Sequence, residues 1–164
     1  MSVRWDTIVV PVDFSETSAE AWRVACGLAA LAGSHLHLVH VGADPLRQAW
    51  TVEVVGVDFT AISKEWQAQA EVRLNRIEPE PAIPSHRITR TVLVGTPHTA
   101  IVEYATAHDA DVIVIGTHGY GPMKHLLLGS VAERVVRQAP CLVLTVPLRA
   151  SARDAADDTL PGPS

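Results

Sequence analysis

The sequence predicts an α/β fold, an open doubly wound sheet of five parallel strands with helices on both faces in a Rossmann-like arrangement. Three observations lead there. Short apolar, β-branched runs alternate strictly with stretches of helical period along the chain. One run, Val112-Ile113-Val114-Ile115, is continuously apolar, which fits a strand buried on both faces and hence a parallel sheet covered by helices. Directly after it come Gly116-Thr117-His118-Gly119, then nine residues, then Gly129-Ser130 and a helical stretch. Strand, glycine-rich loop and helix start in that order make a phosphate cradle, because unpaired N–H groups and the positive end of the helix dipole face the loop.

Each element has its own reason. Thr7 to Val12 is a β-branched run ending at Asp13. A helical pattern follows from about Ser18 to Ala32, with Thr17 and Glu20 spaced as a capping box and Gly33 as its stop. His35 to Val41 reads as the second strand. Residues 42 to 58 contain Gly42, Pro45 and Gly56 without a clear period, and read as a long connection that leaves room for a short helix or hairpin. Ile62, Trp66, Ala70, Leu74 and Ile77 recur at helical spacing within a helix from Thr60 to Ile77, which Pro79, Pro81 and Pro84 end. Arg87 to Val94 is the third strand, Gly95-Thr96-Pro97 a turn, and Thr99 to His108 a helix. Asp111 to Ile115, Ser130 to Gln138 and Cys141 to Val146 complete the series as strand, helix and strand.

The chain has 164 residues, 48% of them hydrophobic and 19% charged, enough core for one domain over residues 1–147. Residues 148–164 turn polar, acidic and proline-terminated, and are expected to form a disordered C-terminal tail. A net charge of −5 without any basic run argues against nucleic-acid binding. No apolar stretch reaches membrane-spanning length and Arg4, Trp5 and Asp6 open the chain without a signal-peptide core, so a cytoplasmic protein with no membrane partner is expected. Cys26 and Cys141 lack metal-ligand spacing and read as buried small hydrophobes.

The glycine segment lacks GxxxxGK[ST] and GxGxxG, which excludes the Walker loop and the dinucleotide fingerprint. Its spacing, GxxG followed after nine residues by G[ST], resembles the ATP-binding signature of the universal stress protein family. Two further features agree, the strand Ile8-Val9-Val10-Pro11-Val12 with Asp13 and Ser15 at its end, and the turn Gly95-Thr96-Pro97. The resemblance covers residues from about 4 to 147. It implies sheet order 3-2-1-4-5, with strands one and four adjacent and a ligand crevice at their carboxyl ends.

Carried over residue by residue, the resemblance implies that Pro11, Val12 and Asp13 flank an adenosine and that Ser15 belongs to the same nucleotide site. Val41 would offer backbone groups to adenine. Gly116, Thr117, His118 and Gly119 would pass close to ribose and phosphates, and Gly129, Ser130 and Val131 would donate to phosphate oxygens. It further implies a homodimer through the last strand, Cys141 to Val146, whose open edge invites a second copy. The cofactor that the resemblance implies is ATP, and any magnesium or manganese would arrive on its phosphates.

Plainer readings compete. Asp13 and Ser130 are also natural helix caps. His118 is a weaker cation at pH 7 than the basic residue many relatives have there, and it also reads as a solvated loop histidine. Strand alternation puts His35 and His37 on one face and His40 on the other with no accompanying carboxylate or cysteine, so no protein-held metal site is expected. The function expected is that of a nucleotide-binding stress-response protein acting as a dimeric sensor with an unknown protein partner and no catalytic residues. The alternatives are a cyclic AMP binder, a slow ATPase served by Ser130, His118, Lys124 and His125, and a nucleotide-free dimeric interaction module.

Overall fold

A computed structural model of the chain describes residues 5–42, 59–81, 83–117 and 128–148. The elements follow in the order β1 (Thr7–Pro11), α1 (Glu16–Ala32), β2 (His35–Gly42), α2 (Phe59–Asn75), a single 3-10 turn (Ser85–Arg87), β3 (Ile88–Val94), α3 (Pro97–Ala107), β4 (Val112–Gly116), α4 (Ser130–Gln138) and β5 (Leu142–Val146). The five strands are all parallel and lie in the order β3-β2-β1-β4-β5, as the resemblance implied. Of the connection 42–58, only Gly42 is described, and it closes β2; His118, Gly119 and the tail from residue 149 lie outside the described residues.

Strand alternation sorts the core into two layers. Ile8, Val10, Val12, Leu36, Leu38, Val112 and Val114 face α1 and α2, where Ala21, Trp22, Ala25, Cys26, Ala29 and Leu74 meet them. Val9, Val39, Ile113 and Ile115 face α3 and α4, against Ile101, Tyr104, Ala105, Ala132 and Val135. The helices following β1 and β4 therefore leave to opposite faces of the sheet. All four residues of Val112-Ile113-Val114-Ile115 are buried, as continuous apolarity predicts. Strand β3, at one edge, is nowhere fully buried.

Side chains from the 3-10 turn and from β3 finish two helices. The Arg87 guanidinium donates to the carbonyls of Ala29 and Ser34 at the end of α1, and Arg90 donates to Leu74 and Ile77 at the end of α2, which satisfies carbonyls left open by helix geometry. At the amino edge the Asp111 carboxylate accepts from the Thr7 N–H at 2.8 Å, tying β4 to β1.

Several boundaries differ from the sequence reading. The capping box at Thr17 and Glu20 does not form. Ser15 is the N-cap of α1, with its hydroxyl accepting from the Ser18 N–H, while Thr17 is buried inside the helix and Glu20 pairs with Arg23. Gly33 ends that helix in the left-handed conformation at φ 80°, as its glycine predicts. Helix α3 starts two residues before the expected Thr99, with Pro97 in its first turn, where the missing N–H has no cost. Helix α2 stops at Asn75, and Ile77 packs on the core from beyond it.

Candidate functional site

The carboxyl edge of the sheet gathers most of the residues singled out from sequence. The β1–β4 register pairs Ile8 with Val112 and Val9 with Ile113, so the ends of these two strands, Val12-Asp13 and Gly116-Thr117, lie beside one another. Because the following helices depart to opposite faces, a crevice opens between them, as at the switch point of any doubly wound sheet.

On the β1 side, Pro11 and Val12 are buried and Asp13 is exposed. The Asp13 carboxylate accepts from the Ser15 N–H at 3.0 Å and from the Ser15 hydroxyl. Ser15 thus serves two internal bonds, to Asp13 and to the Ser18 N–H, and supports Asp13 from below. Between them Phe14 has φ 65°, in the left-handed region.

The β1–β2 register ends with Pro11 opposite Val39, so Val41 reaches beyond β1. Val41 shares a face with Val39, the face under α3 and α4, and the parallel ladder turns the N–H and C=O groups of both toward β1. The Val39 carbonyl accepts from the Val12 N–H at 2.8 Å, while the Val12 carbonyl accepts from His40 Nδ1 at 2.7 Å. Past that point the Val41 groups extend beyond the paired end of β1.

On the β4 side the glycine loop has a closed stem. Thr117, itself buried, donates its N–H to the Val146 carbonyl at 2.9 Å, and its own carbonyl accepts from the Gly129 N–H. Helix α4 then begins with Gly129 as N-cap, its carbonyl accepting from the Glu133 N–H, and without any side-chain cap. Ser130 is therefore the first helical residue, not the cap, and is exposed; Val131 packs on the core beneath α4. Packing gives Gly116 a reason to be glycine. A Cβ there would sit 3.0 Å from the Thr17 backbone and Cγ2, so β4 and α1 meet closely at this point.

Neither thiol takes part. Burial pushes the Cys26 thiol up to about 11 and raises that of Cys141, where the Asp111 charge adds to the effect, so both stay protonated at neutral pH. His35 and His37 lie on the face under α3, with His37 Nδ1 3.0 Å from the Tyr104 hydroxyl and its ring 5.1 Å from those of His35 and His108. Burial first, and then the neighbouring imidazoles His35 and His108, hold the His37 pKa down at about 4. Among the described residues no group of three histidine, cysteine or acidic side chains is placed to hold a metal ion.

Sequence reasoning missed the layer behind the crevice. His40, weighed only as a metal ligand, has its ring 4.4 Å from that of Phe14 and 5.7 Å from that of Trp66, and the Arg73 guanidinium lies 3.8 Å over Phe14. Its place on the opposite face from His35 and His37 was the available signal.

Known proteins resemble this arrangement. The family model described as the universal stress protein family matches residues 4–147. The universal stress protein MJ0531 of Methanocaldococcus jannaschii is 32% identical over 146 residues, covering 85% of this chain and 80% of its own. Among solved structures, that of the hypothetical protein MJ0577 superposes with a TM-score of 0.75 at 28% identity, covering 91% of this chain and all (100%) of that one. A universal stress protein in complex with cAMP has a TM-score of 0.56 at 27% identity, covering 87% of this chain and 97% of its own. The universal stress protein from Archaeoglobus fulgidus in complex with dAMP has a TM-score of 0.56 at 26% identity, with 88% and 99% covered. No described helix is long and apolar enough to cross a membrane.

Proposed function

The chain belongs to the universal stress protein family, and we propose that it binds an adenine nucleotide, with ATP as the preferred ligand, in the crevice between β1 and β4. In this reading Pro11, Val12 and Asp13 flank the adenosine and Val41 offers its backbone to adenine. The loop from Gly116 through Thr117, His118 and Gly119 passes the ribose and phosphates, and the first turn of α4 receives the phosphate oxygens at Ser130 and Val131. The Gly129 N–H, expected from sequence to donate as well, is taken by the Thr117 carbonyl, so Gly129 serves as the open cap beside them. Magnesium or manganese would arrive on the phosphates, since oxygen-rich phosphate is a better ligand for such ions than this protein edge.

The observation that carries the reading is the start of α4. A closed glycine stem leads into a helix whose first N–H groups receive no side-chain cap, beside the exposed Asp13 turn at a topological switch point. Relatives solved with cAMP and with dAMP support an adenine ligand. The cAMP complex also favours a second reading, in which a single cyclic phosphate fills the same cradle.

Turnover is not the task in this proposal. Phosphoryl transfer needs strong charge neutralisation as well as a positioned base, and the described part of the crevice offers backbone donors, Ser130 and the Asp13 carboxylate, which itself adds negative charge. The protein instead works as a dimeric cytoplasmic sensor in which occupancy alters the loop from 117 to 129 and hence the surface offered to a partner. The second copy would pair along β5, an edge strand whose Leu142 and Leu144 are 59% and 37% exposed.

Native mass spectrometry of gently purified protein tests the reading. A dimer that retains or takes up ATP or ADP is expected, and Gly119→Val should abolish that uptake while leaving a folded dimer. A protein bare after added ATP with magnesium would overturn it, and exclusive uptake of cAMP would put the second reading in its place.

A further inference from the structure

We propose that His40 is a positioning residue for the nucleotide site: from the back of β2 it takes the Val12 carbonyl, and thereby keeps the Val41 N–H turned to the crevice and the Asp13 turn in place. The inference rests on the proposed roles of Val41 and Asp13 in nucleotide binding, and goes beyond them by naming what holds both.

A parallel ladder has a regular continuation. With Pro11 opposite Val39 and the Val12 N–H already bonded to the Val39 carbonyl, the next bond would run from the Val41 N–H to the Val12 carbonyl. The His40 imidazole occupies that carbonyl at 2.7 Å. A carbonyl only accepts, so His40 carries its proton on Nδ1 and donates. The Val41 N–H makes no bond to the Val12 carbonyl, and the His40 N–H takes that carbonyl in its place, so the ladder ends a step early and the strand-end donor stays available.

The same imidazole steadies the turn that follows. Phe14 at φ 65° is a conformation that bulky residues rarely adopt and that persists only where the surroundings hold it. Its ring is held by His40 at 4.4 Å, tilted by 42°, and by the Arg73 guanidinium at 3.8 Å. Trp66 backs His40 at 5.7 Å and can do so only because residue 42 is glycine; a Cβ on Gly42 would fall 1.5 Å from the indole. The turn so braced is the one in which Asp13 accepts from Ser15.

Two substitutions separate the donor from the ring. His40→Asn keeps an N–H near the Nδ1 position and loses the ring, whereas His40→Phe keeps the ring and loses the donor. In the ligand-free full chain, amide hydrogen exchange at Val41 should slow about tenfold in His40→Phe, because the ladder bond forms, while exchange at Ser15 should speed up in His40→Asn, which loses the ring that braces the turn. ATP affinity by calorimetry should fall about tenfold in His40→Phe and stay within about threefold in His40→Asn. Unchanged Val41 exchange in His40→Phe, or a larger loss of affinity in His40→Asn than in His40→Phe, would overturn the proposal and leave His40 a packing residue. If the wild type binds no adenine nucleotide, the functional reading falls on that result alone, and Val41 exchange still decides whether His40 controls the strand end.

Discussion

Helices α1 and α4 both start at the carboxyl edge of the sheet, one after β1 and the other after β4, yet their first turns are finished differently. Helix α1 is closed by its own sequence. Ser15 accepts from the Ser18 N–H, Asp13 holds Ser15, and Glu16 places a negative charge in the first turn. Helix α4 starts on Gly129, which has no side chain to give, after a stem pinned by Thr117. A helix start with unpaired donors must find acceptors in water or in a ligand. The difference shows how one fold uses the same feature twice, once to stabilise the chain and once as the proposed anion site.

The strongest way to break the comparison is at the point where the two sides touch. Gly116→Val forces a side chain against the Thr17 backbone and should cost about 3 kcal/mol in urea unfolding, which would weaken α1 and the β4 loop together. Equal stability in that variant would contradict the close approach of β4 to α1.

Acid offers a change that touches neither helix start. His37 packs with His35, His108 and Tyr104 under α3 and stays uncharged in the fold, with its pKa lowered to about 4. The unfolded chain takes up that proton near pH 6.5, so the native state keeps its full stability above that pH and loses it as pH falls toward about 4. Allowing for partial exposure, the loss is about 2 kcal/mol, and His37→Gln should remove most of it in denaturation series at pH 7 and pH 4. A wild-type slope unchanged in His37→Gln would show that other groups carry it.

Serine to alanine at the two starts gives smaller effects that sharpen the contrast. Ser15→Ala should destabilise the protein by about 1 kcal/mol, the usual worth of a lost cap. Ser130→Ala should leave thermal stability nearly unchanged, since Ser130 is exposed and caps nothing, and weaken ATP about threefold through one lost neutral hydrogen bond. The reverse pattern would exchange the roles assigned to the two helices.

Much of this was legible in the sequence because local chemistry decided it. Continuous apolarity marked β4, Gly33 marked the end of α1, and the spacing of Gly129 and Ser130 marked the start of α4 to the residue. The capping box at Thr17 and Glu20 failed because Ser15, with Asp13 two residues before it, supplies a better acceptor two residues earlier. Gly116 was recognised for the ligand, but its contact with Thr17, on the helix after β1, is a matter of packing across elements. The contacts of His37 with Tyr104 and of His40 with Val12 span 67 and 28 residues, beyond any periodicity. Of the proposed site, the β1, β2 and α4 contributions come together at one edge, while His118 and Gly119 fall outside the described residues.

The contrast between the two helix starts can be read directly from backbone amide resonances during titration with ATP and magnesium. The account predicts large, saturable shifts at Ser130, Val131 and Ala132, with the Ser18 amide of α1 nearly unmoved. Saturable shifts confined to α1, or none at either helix, would contradict it.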